Sequence, residues 1–269
     1  MPELPEVETL RRTLEPAVVG QRIVRVGVYE RRLRRPIEPG FERRLRGRRI
    51  RGVGRRGKYL LIDVGDARPL LWVVHLGMSG RLLLGAPPEG ARHVHVRVDL
   101  EQERLYYQDP RRFGLMRLVR DAAELGPLGV DPLADGLDGA TIWRLRARHP
   151  RTTIRALLLD QRAIAGLGNI YVHEALHRAG IRPGRRVARL RRAEAERLAE
   201  ALRDVLERAI ASGGSSLLDY RDATGAPGRF QETLRVYGRA GRPCLACGTR
   251  IAGRRAGGRG VFYCPRCQV

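Results

Sequence analysis

Residues 93–119 read HVHVRVDLEQERLYYQDPRRFGLMRLV. Apolar and polar residues alternate over 93–100, the period of a strand with one buried face. RLYY (104–107) and FGLMRLV (113–119) are short, rich in aromatic or aliphatic residues, and set off by polar turns. Toward the N-terminus the pattern recurs. LLWVVHL (70–76) and KYLLIDV (58–64) are apolar runs, RRIRGVG (48–54) and RIVRVGVY (22–29) alternate, and Gly and Pro punctuate the gaps. Short strands at this spacing predict an all-β sandwich or barrel. Ahead of them, residues 5–15 read as a helix. Pro5 suits its first turn, Glu6 and Glu8 suit the N-terminal dipole, and Val7, Leu10 and Leu14 make an apolar stripe.

Toward the C-terminus the period changes after GPLGVDPL (126–133), which reads as a linker. Helices are expected at 141–148, 152–161, 169–179 and 193–211. GLGN (166–169) makes a tight turn, and Gly213 and Gly214 end the last helix. A Gly/Ser/Asp-rich loop covers 213–229, and no internal repeat occurs. The chain thus divides into a β-rich N-terminal half and a helical C-terminal half.

The chain has 269 residues, room for one large or two ordinary domains, and a formal charge of +23. An arginine-biased genome accounts for part of that excess, yet a charge of this size still favours a polyanionic partner. Lys58 is the one lysine among 52 basic residues. Arg serves phosphate contacts at least as well, whereas Lys can lose its proton and carries a nucleophilic amine. Its survival points to chemistry that Arg cannot perform, against the alternative of chance. No apolar stretch is long enough to span a membrane, and the acidic, proline-bearing start has no secretory character, so the cytosol is the expected location.

All four cysteines lie at the C-terminal end. Cys244 and Cys247, then Cys264 and Cys267, form two CxxC pairs separated by sixteen residues. In a cytosolic chain this spacing predicts a closed tetrahedral zinc site, structural rather than catalytic, with a glycine-rich hairpin between the knuckles. That hairpin carries Arg250, Arg254, Arg255 and Arg259, a phosphate probe or simply a solvated basic loop. GLGN between two helices resembles a helix-turn-helix variant in which Asn169 and backbone N–H groups hold a phosphate; alone, such a sequence is usually only a turn.

A small second residue permits removal of Met1, which would leave Pro2 with a free secondary amine. Near neutral pH an appreciable fraction of such an amine is unprotonated. It can attack a sugar C1′ and give an iminium intermediate, with Glu3 and Glu6 as candidate acid/base groups. A disordered acidic terminus is the plain alternative.

MPELPEVETLRR, RRGKYLL, HLGMSG, DPRRFG, GLGNIY, VYGR and the four-cysteine tail occur in this order. Together they resemble the bacterial formamidopyrimidine-DNA glycosylases, also called 8-oxoguanine DNA glycosylases, from residue 2 to about 268. The resemblance implies an α+β multidomain chain. Its parts would be an N-terminal catalytic β-sandwich with flanking helices (1–125), a linker (126–133), a helix–two-turn–helix domain (134–230) and a four-cysteine zinc finger (235–269). It implies a bifunctional glycosylase and AP lyase of base-excision repair. Such an enzyme would act as a monomer on double-stranded damaged DNA in the bacterial cytosol or nucleoid, with one structural zinc ion and no small-molecule cofactor.

By the same resemblance Pro2 is the nucleophile and Glu3 the general acid/base. Lys58 takes part in proton transfer during β-elimination, and Arg259 serves phosphate binding and δ-elimination. Asn169 holds a phosphate, and His93, Arg111 and Arg151 are DNA contacts. Met78, Arg111 and Phe113 fill the gap left by the extruded base, which must leave the stack before C1′ can be reached. The loop 215–228 covers that base. Arg151 and Arg155 stand where lysine is common in the family, and Val261 where Thr is frequent. The endonuclease VIII branch, which prefers oxidised pyrimidines, shares the architecture. A non-catalytic zinc-ribbon DNA-binding protein would need neither Pro2 nor Lys58.

Overall fold

The computed structural model describes residues 2–217 and 219–269. Met1, and with it the expectation that it is removed, lies outside the described residues, as does Leu218 of the loop 215–228. The chain folds as two compact units, one built from residues 1–126 and 210–231, the other from 127–209 and 232–269.

The first unit begins with α1 (Leu4–Val18), longer than the periodicity alone predicts because Pro16 is accommodated inside it. Glu3 and Glu6 close its N-terminus as a reciprocal capping box, with the Glu3 N–H donating to Glu6 Oε2 at 2.7 Å. Val7, Leu10, Leu14 and Val18 form its buried stripe. Eight strands follow: β1 (Ile23–Val28), β2 (Gly52–Arg56), β3 (Tyr59–Asp63), β4 (Leu71–His75), β5 (Arg81–Leu84), β6 (Val94–Leu100), β7 (Arg104–Gln108) and β8 (Leu115–Val119). A short helix, α2 (Phe41–Leu45), lies between β1 and β2.

The strands form two antiparallel sheets, β1-β6-β7-β5 and β2-β3-β4-β8. Their inner faces share one core with α1 and α2, so the expected sandwich with flanking helices is what forms. Trp72 and Phe41 meet edge-on in it at 6.3 Å. Each large side chain so buried contributes about 1.5–3 kcal/mol. The register fixes which ends coincide: Tyr59 pairs with His75, and His75 with Leu115. The β2–β3 turn, the segment after β4 and the segment before β8 therefore share one end of the second sheet.

The second unit holds α3 (Gly139–Arg148), α4 (Ile154–Leu159), α5 (Asn169–Arg178) and most of α6 (Arg192–Ala211). Asp138 and Thr153 cap α3 and α4 through their side chains. The unit ends in a hairpin of β9 (Ala252–Ala256) and β10 (Arg259–Tyr263). Gly257 and Gly258 turn it, both with positive φ, as a two-residue hairpin turn requires. Residues 210–231, expected with the helical part, pack instead into the first unit. Glu6, Thr13 and Leu84 there exchange hydrogen bonds with Ser215, Ala223 and Tyr220. No helix among the described residues is long and apolar enough to cross a membrane.

Candidate active site and phosphate cluster

Pro2 and Glu3 are buried at the N-terminus of α1, with Glu3 only 3 % exposed. Both oxygens of the Glu6 carboxyl group are engaged by backbone N–H groups. Its Oε2 accepts from Glu3 N and its Oε1 from Ser215 N at 2.8 Å, while Tyr220 Oη donates to the Glu6 carbonyl at 3.0 Å. The carboxyl group thereby ties the loop after Gly214 to the helix that carries Pro2.

Lys58 is placed by backbone chemistry. Arg56 pairs with Tyr59, which leaves Gly57 and Lys58 as a two-residue turn, with Gly57 at φ +56. The lysine expected at the head of a strand therefore occupies the turn itself, 7 % exposed. Three residues earlier, Arg55 bonds Glu8 at 3.2 Å and pins the N-terminal half of α1 beside this hairpin end.

At the same end His75 is held neutral. Burial first, then the charges of Lys58 and Arg34, lower its pKa to about 4. Its Nδ1 accepts from Gly77 N at 3.0 Å and so fixes the start of the HLGMSG turn. A histidine whose folded pKa is depressed stabilises fully above its ordinary value of 6.5. That contribution is lost as pH falls toward about 4, at up to about 1.4 kcal/mol per pH unit. His75→Asn keeps an acceptor for Gly77 and is expected to flatten the loss of thermal stability between pH 6.5 and 4. An unchanged pH profile of Tm would count against it.

Met78 and Phe113 are 36 % and 44 % exposed, and the Arg111 guanidinium stacks 4.8 Å from the Phe113 ring centre. These three residues, predicted as wedges, are thus brought onto neighbouring turns. Asp109, fully buried, organises both turns. It accepts from Ser79 Oγ at 2.6 Å, Gly114 N at 2.8 Å, Tyr107 Oη at 3.1 Å and Arg111 N at 3.3 Å. Gly77 lets the turns touch, since a Cβ there would lie 2.3 Å from the Phe113 carbonyl carbon. His93 is exposed in a left-handed conformation (φ 64), and its carbonyl accepts from Asp109 N. Sequence reasoning missed Asp109, although its place at the head of DPRRFG was a signal.

In the second unit Asn169 opens α5. Its Oδ1 accepts from Arg155 at 2.8 Å and its Nδ2 donates to the Gly260 carbonyl of the hairpin at 3.0 Å. Arg155 is 8 % exposed, and its pKa is lowered by burial and then by Arg259 and Arg254. Its buried Nε has no hydrogen-bond partner among the described residues. Guanidinium groups gathered this way call for an anion. Arg151 lies exposed in the turn ahead of α4, four residues before Arg155, and takes no part in the bond to Asn169. Arg155 is therefore the residue of this pair that the sequence reading did not select. Glu174 of α5 also holds the approach to the hairpin, accepting from the backbone N–H groups of Arg235, Val236 and Tyr237 at 2.8–3.0 Å.

The four cysteine sulfurs lie within 4.8 Å of one another, with Cys247–Cys264 at 3.5 Å and Cys244–Cys267 at 3.9 Å. A tetrahedral zinc site with Zn–S bonds of about 2.3 Å has sulfur–sulfur edges of about 3.8 Å. The four thiols therefore fit one structural Zn²⁺ with no open position. His177 Nε2 lies 3.7 Å from Cys244 Sγ, and Gln268 bridges Cys264 N and the Ile181 carbonyl, which secures the site to the end of α5.

Buried Pro2, Glu3 and Lys58 in one unit, the exposed Met78, Arg111 and Phe113 on adjoining turns, and a helix–turn–helix bonded to a four-cysteine hairpin are the parts expected of a base-excision DNA glycosylase. Residues 1–116 match the formamidopyrimidine-DNA glycosylase N-terminal domain, 128–220 the formamidopyrimidine-DNA glycosylase H2TH domain, and 241–269 the zinc finger found in FPG and IleRS. The chain belongs to the formamidopyrimidine-DNA glycosylase family, enzymes with DNA glycosylase and lyase activity. It is 48 % identical to the formamidopyrimidine-DNA glycosylase of Cereibacter sphaeroides, covering all of both chains. The MutM (FPG) protein of Thermus thermophilus is 43 % identical at a TM-score of 0.87, with 99 % and 98 % of the two chains covered. A Lactococcus lactis FPG mutant in complex with Fapy-dG DNA is 36 % identical at the same TM-score, with 99 % of both chains covered.

Proposed function

We propose that this chain removes oxidised purines from duplex DNA by covalent catalysis at Pro2, acting as a monomer in the bacterial cytosol or nucleoid. With Met1 removed, the Pro2 nitrogen bonds to C1′ of the extruded nucleotide as the glycosidic C–N bond breaks and the base leaves with that electron pair. The Pro2 N–H proton passes to the departing base, and the nitrogen lone pair then forms the C=N bond as C1′–O4′ breaks and Glu3 supplies a proton to O4′, giving the iminium. Loss of a C2′ proton then expels the 3′ phosphate, and loss of a C4′ proton expels the 5′ phosphate. Lys58 assists the first of these steps. Arg259, with Asn169, Arg155 and Arg151, takes phosphates, as does His93. Met78, Arg111 and Phe113 occupy the vacated stack.

The observation that carries this reading is the burial of Pro2, Glu3 and Lys58 in the unit that bears the wedge turn. Desolvation keeps an amine neutral and hence nucleophilic. The PELPEVE start and the Met78, Arg111 and Phe113 set favour the purine branch. Borohydride should trap the protein on DNA carrying 8-oxoguanine, and mass spectrometry should place the adduct on Pro2 with Met1 absent. An adduct elsewhere, or none with Met-free protein, rejects the mechanism. Faster cleavage of thymine glycol than of 8-oxoguanine would move the chain to the pyrimidine branch. Lys58→Arg is expected to bind DNA normally but lose strand cleavage by about 10²-fold or more; full cleavage would remove any special role for that amine.

A further inference from the structure

The first unit carries a second cationic feature, at the end away from Pro2 and Lys58. α1 rises about 22 Å between Leu4 and Val18. At its far end Gly20 N donates to the Ile50 carbonyl and Ile50 N to that of Gln21, so α1 finishes where the approach to β2 begins. Arg51 precedes β2, whereas Lys58 follows it; the five residues of β2, about 17 Å, and then Gly57 separate them. Around this far end lies an open basin of about 640 Å³.

Eight arginines line the basin. Arg22, Arg44 and Arg51 are each matched by one acid, Glu101, Glu38 and Asp66 respectively. Arg48 and Arg49 donate to backbone carbonyls, which orients them without neutralising them. The side chains of Arg43, Arg46 and Arg68 are exposed and make no hydrogen bond or ion pair among the described residues. Five positive charges are therefore left without an acid on one concave surface.

Apart from these arginines and Asp66 the lining is only Gly47, Gly65 and Ala67. It offers no apolar recess for the aromatic or aliphatic anchors of a protein partner. A set of planar forks spread over an open surface matches a row of phosphates, and duplex DNA presents one charge per about 1.7 Å of axis. We propose that this basin binds the backbone of a second DNA duplex segment, separate from the one bearing the lesion. The inference stands whether or not Pro2 is the nucleophile.

The test begins with intact protein saturated with a short duplex carrying an uncleavable abasic analogue. A fluorescent undamaged duplex is then added at fixed ionic strength and followed by anisotropy. The preformed complex is expected to take up the second duplex. The combined variant Arg43→Ala, Arg46→Ala, Arg68→Ala is expected to weaken that uptake at least about tenfold and to reduce its log K against log salt slope by about 2–3. Excision from a short lesion duplex should stay within about twofold of the parent, which also shows that the variant folds. No uptake by the parent complex, or equal uptake by the variant, overturns the proposal. Displacement of the second duplex by polyglutamate of equal charge assigns the basin to an acidic protein. Displacement by millimolar inorganic phosphate assigns it to a small anion. Either displacement also overturns the proposal.

Discussion

Stripping zinc from the four-cysteine site is expected to abolish tight DNA binding while leaving the first unit folded. The apolar cluster around the cysteines consists of Val236, Cys244, Ile251 and Cys264, with Cys247, Phe262 and Cys267 at its edge, so the ligands themselves are much of its core. Apparent zinc binding of about 10–16 kcal/mol in finger peptides is as large as a whole domain's stability. Without the metal the β9–β10 hairpin has little to hold it, and Asn169 loses the Gly260 carbonyl that aligns it. Losing two charge-assisted phosphate contacts costs about 3–6 kcal/mol, an affinity drop of roughly 10²–10⁴. Mobility-shift titration before and after chelation, with zinc restored as the control, measures this. An apo protein that binds with undiminished affinity would show that the hairpin does not carry phosphate contacts.

Asp109→Ala should be the most damaging substitution in the first unit outside the proposed nucleophile, Pro2. Four donors converge on that buried carboxyl group, from Ser79, Tyr107, Gly114 and Arg111. Alanine leaves the buried Ser79, Tyr107 and Gly114 donors without this acceptor, while Arg111 N keeps only Ser79 Oγ. The expected destabilisation is about 3–5 kcal/mol, or roughly 10 °C in Tm. Excision should fall further than folding does, because Arg111 and Phe113 sit on the turn that Asp109 shapes, and a displacement of about 1 Å can cost 10²-fold in rate. Asp109→Asn keeps the acceptor for two of the donors and should recover part of both losses. A variant with parental Tm and kcat would mean that the turn holds its shape without this group.

The long strands and helices were legible because their periods were clean. The strands of 94–100 and 59–63 and the helix of 192–211 fall where alternation or the i, i+4 pattern puts them. What escaped notice was short or non-local. FERRL (41–45) is too brief to show a helical period, and RLLL (81–84) holds only three apolar residues between an arginine and a glycine. The zinc ligands were readable because CxxC spacing is a local signal, and Met78, Arg111 and Phe113 were selected through the motifs that hold them. Lys58 was placed on a strand because nothing in KYLLIDV reveals that Gly57 turns left-handed just before it. Arg151 and Arg155 are four positions apart, one before α4 and one within it, and composition cannot say which of them meets Asn169. The allegiance of 210–231 rests on bonds such as Ser215 N to Glu6, across 209 positions, where a polar loop gives no hint of its partner.

That last bond has a consequence for how the enzyme is born. Synthesis proceeds from the N-terminus, and domains generally fold as their residues emerge. Here the first unit cannot finish in that order, because its closing segment, 210–231, is made after most of the second unit. Until then Glu6 lacks Ser215 N, and the helix bearing Pro2 lacks its strap. A nascent or prematurely terminated chain therefore has no completed catalytic end. Completion of the first unit thus waits until translation has passed residue 231, when the four-cysteine segment is the main part of the chain still to be made.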